Sequence, residues 1–305
     1  MRHVIESQQF DRETIECIFK KADELSTLKL KGTPLRDQIM ASLFYEPSTR
    51  TRLSFESAML RLGGEVISTE NAREFSSAAK GETLEDTIRV VSHYADIIVL
   101  RHFEQGASER AAAVSEVPII NAGDGAGQHP TQALLDLYTI QKELGCIDGI
   151  HIVLVGDLLN GRTTRSLSYL LGKYEKVTIS LVAPKALSMG TDIKEYLTRH
   201  NIAFEEQESW NDSLKTADVV YMTRIQKERF KNLDAYNNFK GAYVLTRSEV
   251  ESMKEKSIVM HPLPRVDEIA TDVDSLPQAA YFRQAQYGVL VRMALLQFLL
   301  SQSLD

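Results

Sequence analysis

The sequence predicts an α/β protein of two domains, each a mostly parallel sheet flanked by helices. Short apolar runs alternate with helical patterns along the whole chain, which is typical of parallel sheets. The runs lie at residues 40–45, 96–100, 118–121, 151–155, 177–182, 218–222 and 257–260. In addition, 305 residues are enough for two domains of ordinary size.

An amphipathic stretch at residues 131–144 separates the first group of apolar runs from the second. We therefore expect long interdomain helices and place the two domains at residues 1–145 and 146–285. A further apolar stretch with helical spacing, residues 284–300, predicts a last helix. We expect residues 286–305 to pack back on the first domain.

Composition and charge exclude several classes of protein. Apolar residues make up 43% and charged residues 25%, as in soluble globular proteins. No run approaches the ~20 apolar residues of a membrane span, and the N-terminus lacks the apolar core of a signal peptide. We expect a cytoplasmic protein with no membrane partner. The net charge of −7 argues against nucleic acid, whose binding needs a broad basic face.

The cysteines and histidines give no sign of a metal or a disulfide framework. Cys17 and Cys146 lie far apart, with no further Cys or His at the spacing of metal ligands. We expect both thiols to be reduced and structural, and we expect neither a metal nor a cofactor.

The segment Pro-Ser-Thr-Arg-Thr-Arg, residues 47–52, follows the first apolar run and opens a helical pattern. Such a helix start directs backbone N–H groups and the positive end of the helix dipole at one place. Hydroxyls of Ser48, Thr49 and Thr51 and the guanidinium of Arg50 add donors. The segment is a candidate phosphate site. The alternative is an ordinary capped helix with solvated arginines, because Ser and Thr are common N-caps.

Polar residues also follow later apolar runs, at the strand ends where open parallel sheets bind ligands. Arg101 follows residues 96–100, and a Gly-rich stretch, residues 121–128, leads to His129. Gln132 lies three residues after this histidine, on the same face of the helix start. We interpret Arg101, His129 and Gln132 as ligand contacts, although a single histidine is more often structural.

Residues 156–163, Gly-Asp-Leu-Leu-Asn-Gly-Arg-Thr, are one residue away from a nucleotide P-loop. Arg162 stands where the P-loop has lysine. Arginine presents a planar guanidinium that suits carboxylates, so replacing the lysine by arginine changes which ligand the loop favours. A phosphotransferase with a P-loop is therefore a remote alternative.

Two further segments carry candidate contacts. Pro262 and Pro264 follow the last apolar run, and the carbonyls of such a rigid loop suit a ligand amide NH2, although a stiff loop would look the same. Lys80 lies in a small-residue loop before a helical pattern, a place where a lysine is more often solvated.

Six segments together closely resemble the aspartate/ornithine carbamoyltransferase family, and within it the aspartate-specific branch. They are FYEPSTRTRLSFE, KGETLEDT, NAGDGAGQHPTQALLDL, VGDLLNGRT, YMTRIQKER and HPLPRVDEIATDVD. The ornithine-specific branch usually carries cysteine after the late histidine, where this chain has Pro262. The resemblance spans nearly the whole chain.

The resemblance implies transfer of a carbamoyl group from carbamoyl phosphate to L-aspartate in pyrimidine (UMP) synthesis, with the first domain binding carbamoyl phosphate and the second aspartate. Three sets of residues carry over. Those implied for carbamoyl phosphate are Ser48, Thr49, Arg50, Thr51, Ser76, Arg101, His129, Gln132, Pro262, Leu263 and Pro264. Those implied for aspartate are Lys80, Arg162, Arg224 and Gln226. Those implied for catalysis are Thr51, Lys80, Arg101 and His129.

The family further implies a homotrimer whose active sites are shared, with Ser76 and Lys80 entering from a neighbouring subunit. Glu46 is expected to pair with Arg162 and Arg229 when the domains close. Leu159-Asn160 replaces the Lys-Tyr pair of the best-known regulated enzyme of the family, which puts allosteric switching of that kind in doubt for this chain. A regulatory chain or larger assembly stays open. So do an ornithine carbamoyltransferase and a non-catalytic anion-binding protein.

Overall fold

A computed structural model describes residues 1–27, 33–71, 80–210, 212–226, 230 and 236–301. The helices include α1 (Arg12–Thr27), α2 (Thr49–Arg61), α3 (Leu84–Ser92), α4 (Ala107–Val114), α5 (Pro130–Leu144), α6 (Arg162–Leu171), α7 (Thr191–Arg199), α8 (Ser213–Thr216), α9 (Arg247–Glu251) and α10 (Tyr281–Ser301). Across the described ranges, none of the helices has the length and apolar character needed to span a bilayer.

The strands are β1 (Ile39–Phe44), β2 (Glu65–Glu70), β3 (Ile97–His102), β4 (Ile119–Asp124), β5 (His151–Val155), β6 (Thr178–Val182), β7 (Ala203–Gln207), β8 (Val219–Met222) and β9 (Ile258–Met260). Every pair of neighbouring strands is parallel. The α/β class with two parallel sheets is therefore confirmed.

The chain divides into two compact units, and two helices continue across the division. The first unit is Met1–Leu134 together with the chain from Gln286 on, and the second is Leu135–Ala285. The division falls inside α5 and inside α10. The sequence put the boundary at residue 145, after α5. The division of the chain into compact units instead places the part of this helix from Leu135 on in the second unit.

The sheet of the first unit has the strand order β2-β1-β3-β4. Its core packs the buried faces of the strands against α3 and α4, and includes Ala41, Leu43, Ile88, Leu100 and Ala111. The register sets Phe44 opposite Arg101, so the carboxyl ends of β1 and β3 lie side by side. This pairing brings the loop after β1 next to the end of β3.

The sheet of the second unit has the strand order β7-β6-β5-β8-β9. The central strand β5 is apolar after His151 and almost wholly buried, as is typical of a central strand in a parallel sheet. Val153, Val155, Val220, Val259 and Tyr281 belong to its core. The order places the loop after β5 between the loops after β6 and β8.

Two strands, β2 and β7, were missed by the sequence analysis. Both lie at the edge of a sheet, and most of their residues are exposed or half-buried. Their sequences, EVISTE and AFEEQ, carry several carboxylates. An edge strand with charged side chains shows no continuous apolar run, because so little of it enters the core.

The last helix, α10, is joined to α2 within the first unit. The Arg292 guanidinium donates to the Ser54 hydroxyl over 2.7 Å and lies 5.0 Å from the centre of the Phe55 ring. This cation–π contact and hydrogen bond connect the C-terminal helix to α2, whose N-terminal end is the candidate phosphate site.

Candidate active site

The start of α2 lacks the side-chain cap that is typical of a helix N-terminus. Ser48 occupies the N-cap position with φ −159°, yet its side chain makes no capping hydrogen bond. Its carbonyl accepts the Arg52 N–H over 3.1 Å, the first bond of the helix. The Ser48 side chain therefore does not cap the first turn, and the capped-helix alternative is wrong for this side chain. Thr51 is buried, whereas Thr49 and Arg50 are exposed.

Arg101 lies at the end of β3, beside the loop that leads to α2. Its side chain is only 10% exposed and pairs with the half-buried Glu46 over 3.0 Å. A second guanidinium nitrogen donates to the Ala122 carbonyl over 3.2 Å. These contacts hold the planar group in one orientation, as a preformed oxyanion donor requires.

The pairing of Glu46 with Arg101 was not foreseen. The family resemblance gave Glu46 the role of pairing with Arg162 and Arg229 on domain closure. Arg229 lies outside the described residues. Within the first unit, Glu46 neutralises a buried guanidinium next to the helix start, which lowers the cost of keeping that charge out of water.

His129 and Gln132 lie at the start of α5, and both are buried. The His129 carbonyl accepts the N–H groups of Gln132 and Ala133 over 3.0 and 3.2 Å, so His129 occupies the cap position of this helix. The Thr131 hydroxyl lies 3.4 Å from His129 Nδ1. The helix start thus fixes both predicted contacts on one turn.

The Gly-rich loop before His129 is organised by the buried carboxylate of Asp124. Its oxygens accept the Gly106 and Gln128 N–H groups, each over 2.9 Å. A Cβ atom at Gly127 would lie 2.7 Å from Asp124 Oδ1, so only glycine fits there. Asp124 therefore sets the path of the chain into α5. Sequence analysis did not single it out.

Lys80 and Ser76 belong to the loop that the resemblance assigns to a neighbouring subunit. Ser76 lies outside the described residues. Lys80 is exposed. Exposure on the single chain is what a residue acting in another subunit requires, and it is equally what a solvated lysine shows.

In the second unit, Arg162 is the first residue of α6, directly after the loop that resembles a P-loop. Asp157 in this loop is fully buried, and its carboxylate accepts the Asn160 N–H over 3.0 Å and the Asn160 side-chain amide over 3.1 Å. The loop is therefore folded around a carboxylate of the protein itself, where a P-loop would hold a phosphate.

Arg224 and Gln226 follow β8, the strand next to β5. Gln226 donates through its side-chain amide to the Asn160 carbonyl over 3.3 Å. A Cβ atom at Gly156 would lie 2.3 Å from the Thr223 carbonyl oxygen, so the two loops are in close contact. The structure thus brings the loop that leads into Arg162 against the segment that carries Arg224 and Gln226.

The loop Pro262, Leu263 and Pro264 follows β9 and is held by the buried His261. The Leu263 N–H lies 2.7 Å from His261 Nδ1, and His261 Nε2 lies 2.7 Å from Glu268 Oε1. The peptide between Leu263 and Pro264 is cis. The loop is therefore fixed by side-chain contacts as well as by its prolines.

Glu268 is a buried acid that sequence analysis did not single out. Burial acts to raise the pKa of its carboxyl, but the hydrogen bond from His261 and those from the backbone outweigh that effect, and the pKa is lowered from its ordinary 4.5. It also lines a cavity of about 260 Å³ together with Arg224, Lys240 and Asp267. The last loop and the segment after β8 therefore share one recess.

No group of three or more His, Cys, Asp or Glu side chains within the described ranges is placed to hold a metal ion. Cys17 and Cys146 are both free thiols, and both are exposed rather than structural. The assembled groups are guanidiniums, hydroxyls, amides and backbone groups, which bind anions and amides.

Two family models match the chain. The carbamoyl-P binding domain of aspartate/ornithine carbamoyltransferase matches residues 2–142, and the Asp/Orn binding domain matches residues 148–299. The chain belongs to the aspartate/ornithine carbamoyltransferase family.

Relatives within this family cover almost the whole chain. An aspartate carbamoyltransferase of Pisum sativum chloroplasts is 58% identical over 302 residues, covering 97% of this chain and 77% of the relative. The aspartate carbamoyltransferase catalytic subunit of Methanocaldococcus jannaschii is 54% identical over 306 residues, covering 99% of both.

Solved structures of family members share the fold. The M. jannaschii catalytic subunit superposes with a TM-score of 0.92 at 53% identity and covers 100% of both chains. Aspartate transcarbamoylase of Trypanosoma cruzi, in complex with N-(phosphonacetyl)-L-aspartic acid, gives a TM-score of 0.91 at 42% identity, covering 97% of this chain and 95% of that one. Other structures of the T. cruzi enzyme hold carbamoyl phosphate, aspartate or both.

Proposed function

We propose that this chain transfers the carbamoyl group of carbamoyl phosphate to the amine of L-aspartate, giving N-carbamoyl-L-aspartate and phosphate. In the cell this is a step of pyrimidine (UMP) synthesis. The observation that carries the proposal is the buried Arg101 guanidinium, held in one orientation by Glu46 and Ala122, beside the loop that leads into the first turn of α2. Membership of the family and relatives named aspartate carbamoyltransferase support the choice of substrates.

The phosphate of the donor binds at the start of α2. The first-turn N–H groups, with the hydroxyls of Ser48, Thr49 and Thr51, surround a dianion that the helix dipole also favours. Arg50 adds a guanidinium at the exposed side of the same turn. This set suits phosphate because it offers many donors to one compact group of oxygens.

The carbonyl oxygen of the donor is polarised by Thr51, Arg101 and His129. Negative charge builds on this oxygen as the amine attacks, and fixed donors stabilise that charge without reorganisation. Gln132 and the carbonyls of Pro262 and Leu263, beside Pro264, hold the carbamoyl NH2. The burial of Arg101 and His129 supports this role, since such donors are strongest away from water.

The two carboxylates of aspartate bind to Arg162, Arg224 and Gln226. Guanidinium groups pair with carboxylates in a forked geometry that a lysine cannot provide. The contact between the loop before Arg162 and Gln226 supports a shared role for these residues. Lys80 of a neighbouring subunit is the remaining contact.

The reaction needs no side-chain nucleophile, because carbamoyl phosphate is already activated. Holding the two reactants in attack geometry supplies up to ~7–11 kcal/mol, and each oxyanion donor roughly 3 kcal/mol. Positioning is the larger contribution. The amine forms the new C–N bond at the carbamoyl carbon, negative charge builds on the carbonyl oxygen, and the C–O bond to phosphate breaks as that charge returns to the carbonyl. The departing phosphate is basic enough to take the proton from the amine.

The decisive experiment measures product formation from carbamoyl phosphate with aspartate or with ornithine, each with and without ATP and Mg²⁺. We expect N-carbamoyl-aspartate and phosphate with aspartate alone, independent of ATP. Activity with ornithine only would reassign the acceptor, and a requirement for ATP would indicate a phosphotransferase. Binding of carbamoyl phosphate without turnover would leave an anion-binding protein.

We also propose that the chain acts as a homotrimer with shared sites, because the family resemblance assigns Lys80 to the site of a neighbouring subunit, and the exposure of Lys80 is compatible with that role. Lys80→Ala and Arg162→Ala chains, unfolded together and reassembled, should regain about a quarter of the normal activity, since one site in each mixed trimer is intact. Each variant carried alone through the same steps is the control. Verified mixed trimers that stay inactive would exclude a shared site.

We propose a cytoplasmic location for the protein, in contrast to the plant relatives, whose names place them in chloroplasts. Activity assays on fractionated cells test this. Enrichment of the activity in an organelle fraction would contradict it.

A further inference from the structure

We propose that His261 and Glu268 form a positioning pair, which fixes the backbone of Pro262 and Leu263 for holding the carbamoyl NH2. The inference rests on the proposed function, in which the carbonyls of those two residues accept hydrogen bonds from the substrate. Neither side chain of the pair has to touch the substrate. Both act through the loop.

The contacts of His261 determine which tautomer its imidazole ring adopts. The Leu263 N–H is only a donor and lies 2.7 Å from Nδ1, so Nδ1 must present a lone pair. The ring proton is then on Nε2, which donates to Glu268 Oε1 over 2.7 Å. In a doubly protonated ring, the Nδ1–H group would face the Leu263 N–H, and neither could accept a hydrogen bond from the other.

Glu268 is bound so that it acts only as an acceptor. Oε1 receives the His261 proton, and Oε2 accepts the N–H groups of Val266 and Asp267, each over 3.1 Å. Three donors around one carboxylate favour its ionised form. With the side chains of His261 and Glu268 only 1% and 7% exposed, these contacts are shielded from water.

The backbone of His261 is fixed from a second direction. Its N–H donates to Gln284 Oε1 over 3.0 Å, and the Gln284 amide donates to Asp136 Oδ1 over 2.6 Å. Tyr221 donates to the other oxygen of Asp136 over 2.8 Å. His261 therefore cannot shift without breaking a buried chain of hydrogen bonds.

Leu263 shows why such a clamp is needed. Its φ of +52° lies in the left-handed region, which a residue with a Cβ rarely adopts. Pro262 and Pro264 have no N–H, so the Leu263 N–H is the single backbone donor between them. The His261 ring takes that donor and so supports the unusual turn, in the way an Asx turn does with a shorter side chain.

A pair of variants separates the two contacts of the ring. In His261→Asn the side-chain oxygen replaces Nδ1 as acceptor for the Leu263 N–H, whereas in His261→Gln the side-chain amide replaces Nε2 as donor to Glu268. We expect the Asn variant to keep kcat/KM for carbamoyl phosphate within about tenfold of the unaltered chain. We expect the Gln variant to lose about a hundredfold, mostly as a higher KM for carbamoyl phosphate.

The opposite order, or equal losses in the two variants, would overturn the proposal, because acceptance of the Leu263 N–H by the His261 ring would then not be what fixes the loop. His151→Asn and His151→Gln are matched controls. His151 is also partly buried in the second unit, where it contacts Ser180 and Thr216. Both controls should leave the KM for carbamoyl phosphate unchanged.

Hydrogen exchange on the unaltered chain tests the clamp independently of any variant. The Leu263 N–H should exchange far more slowly than an open loop, and exchange at the rate of an open loop would overturn the proposal. This result stands even if the chain forms no N-carbamoyl-aspartate. Failure of the proposed function and failure of the clamp are thus distinguished.

Discussion

Two segments of this protein have the same local architecture but differ in the contacts that their loops and helix starts make. In each sheet a buried strand runs through a short loop into a helix, β1 into α2 and β5 into α6. Each helix carries an arginine in its first turn, Arg50 or Arg162, and a buried threonine as its third residue, Thr51 or Thr164. On pattern alone, the second segment is the more similar to a nucleotide-binding loop.

The difference lies in what satisfies the loop and the helix start. At α2 the Ser48 side chain makes no cap. At α6 the Asp157 carboxylate binds the Asn160 backbone and side chain, and the Thr164 hydroxyl donates to the Gly161 carbonyl over 2.8 Å. The second loop already contains an anion. Glycine spacing and a nearby cation therefore do not define a phosphate site when a carboxylate of the chain fills it.

The largest effect is expected for Arg101→Ala, which removes the oriented cation beside the first segment. We expect the rate to fall more than about a hundredfold, the loss of roughly 3 kcal/mol that one oxyanion donor provides. The measurement is kcat with both substrates saturating, together with circular dichroism to verify the fold. Arg89→Ala, which removes an exposed arginine paired with Asp86, is the control and should keep its rate. A near-normal rate for Arg101→Ala would remove Arg101 from the mechanism.

The second segment is tested by Asp157→Ala, which removes the internal anion. We expect the free energy of unfolding to fall by about 1–3 kcal/mol, because the half-buried Asn160 N–H and side-chain amide lose their acceptor. Asp157→Asn retains one carbonyl oxygen as acceptor, so its loss should be smaller. Urea unfolding of the three chains gives the comparison. Unchanged stability in Asp157→Ala would show that the carboxylate does not organise the loop.

The two threonines make a matched pair at the third position of each helix. Thr51→Ala should raise the KM for carbamoyl phosphate about tenfold, the value of one hydrogen bond to a charged group, with little change in stability. Thr164→Ala should lower stability, since its hydroxyl bonds within the helix start, and leave that KM unchanged. Steady-state kinetics gives the KM for carbamoyl phosphate of both variants, and urea unfolding gives their stability. Equal effects of the two substitutions on this KM would contradict the prediction that only the first segment contacts carbamoyl phosphate.

The sequence predicts those strands whose residues are nearly all buried. Strands β1, β3, β5 and β8 are nearly all buried, so their apolar runs are continuous and easy to recognise. The edge strands β2 and β7 are held mainly by backbone hydrogen bonds to one neighbour, and backbone bonds leave no trace in residue type. Sequence analysis found the first kind and missed the second.

The same limit applies to the site. Arg101, His129 and Arg162 were identifiable because each follows a strand or starts a helix. Asp157 and Glu268 were visible as acids in the sequence, but their roles depend on N–H groups that only the folded loops bring to them. A carboxylate that is satisfied by its own loop and one that faces a ligand look alike in the sequence.

The smallest expected effect concerns pH and Glu268, the other internal carboxylate. Burial raises the pKa of this group while His261 and the backbone lower it more, so the net shift is downward from 4.5. Below that value the unfolded chain therefore binds more protons than the folded chain, and acid favours unfolding. The contribution is present in full above pH 4.5 and is lost as the pH falls through the lowered value of the folded state. Urea midpoints of the unaltered chain and Glu268→Gln should differ at neutral pH and converge in acid. A constant difference would mean that Glu268 titrates alike in both states, so that the carboxylate stabilises its loop by shape rather than by charge.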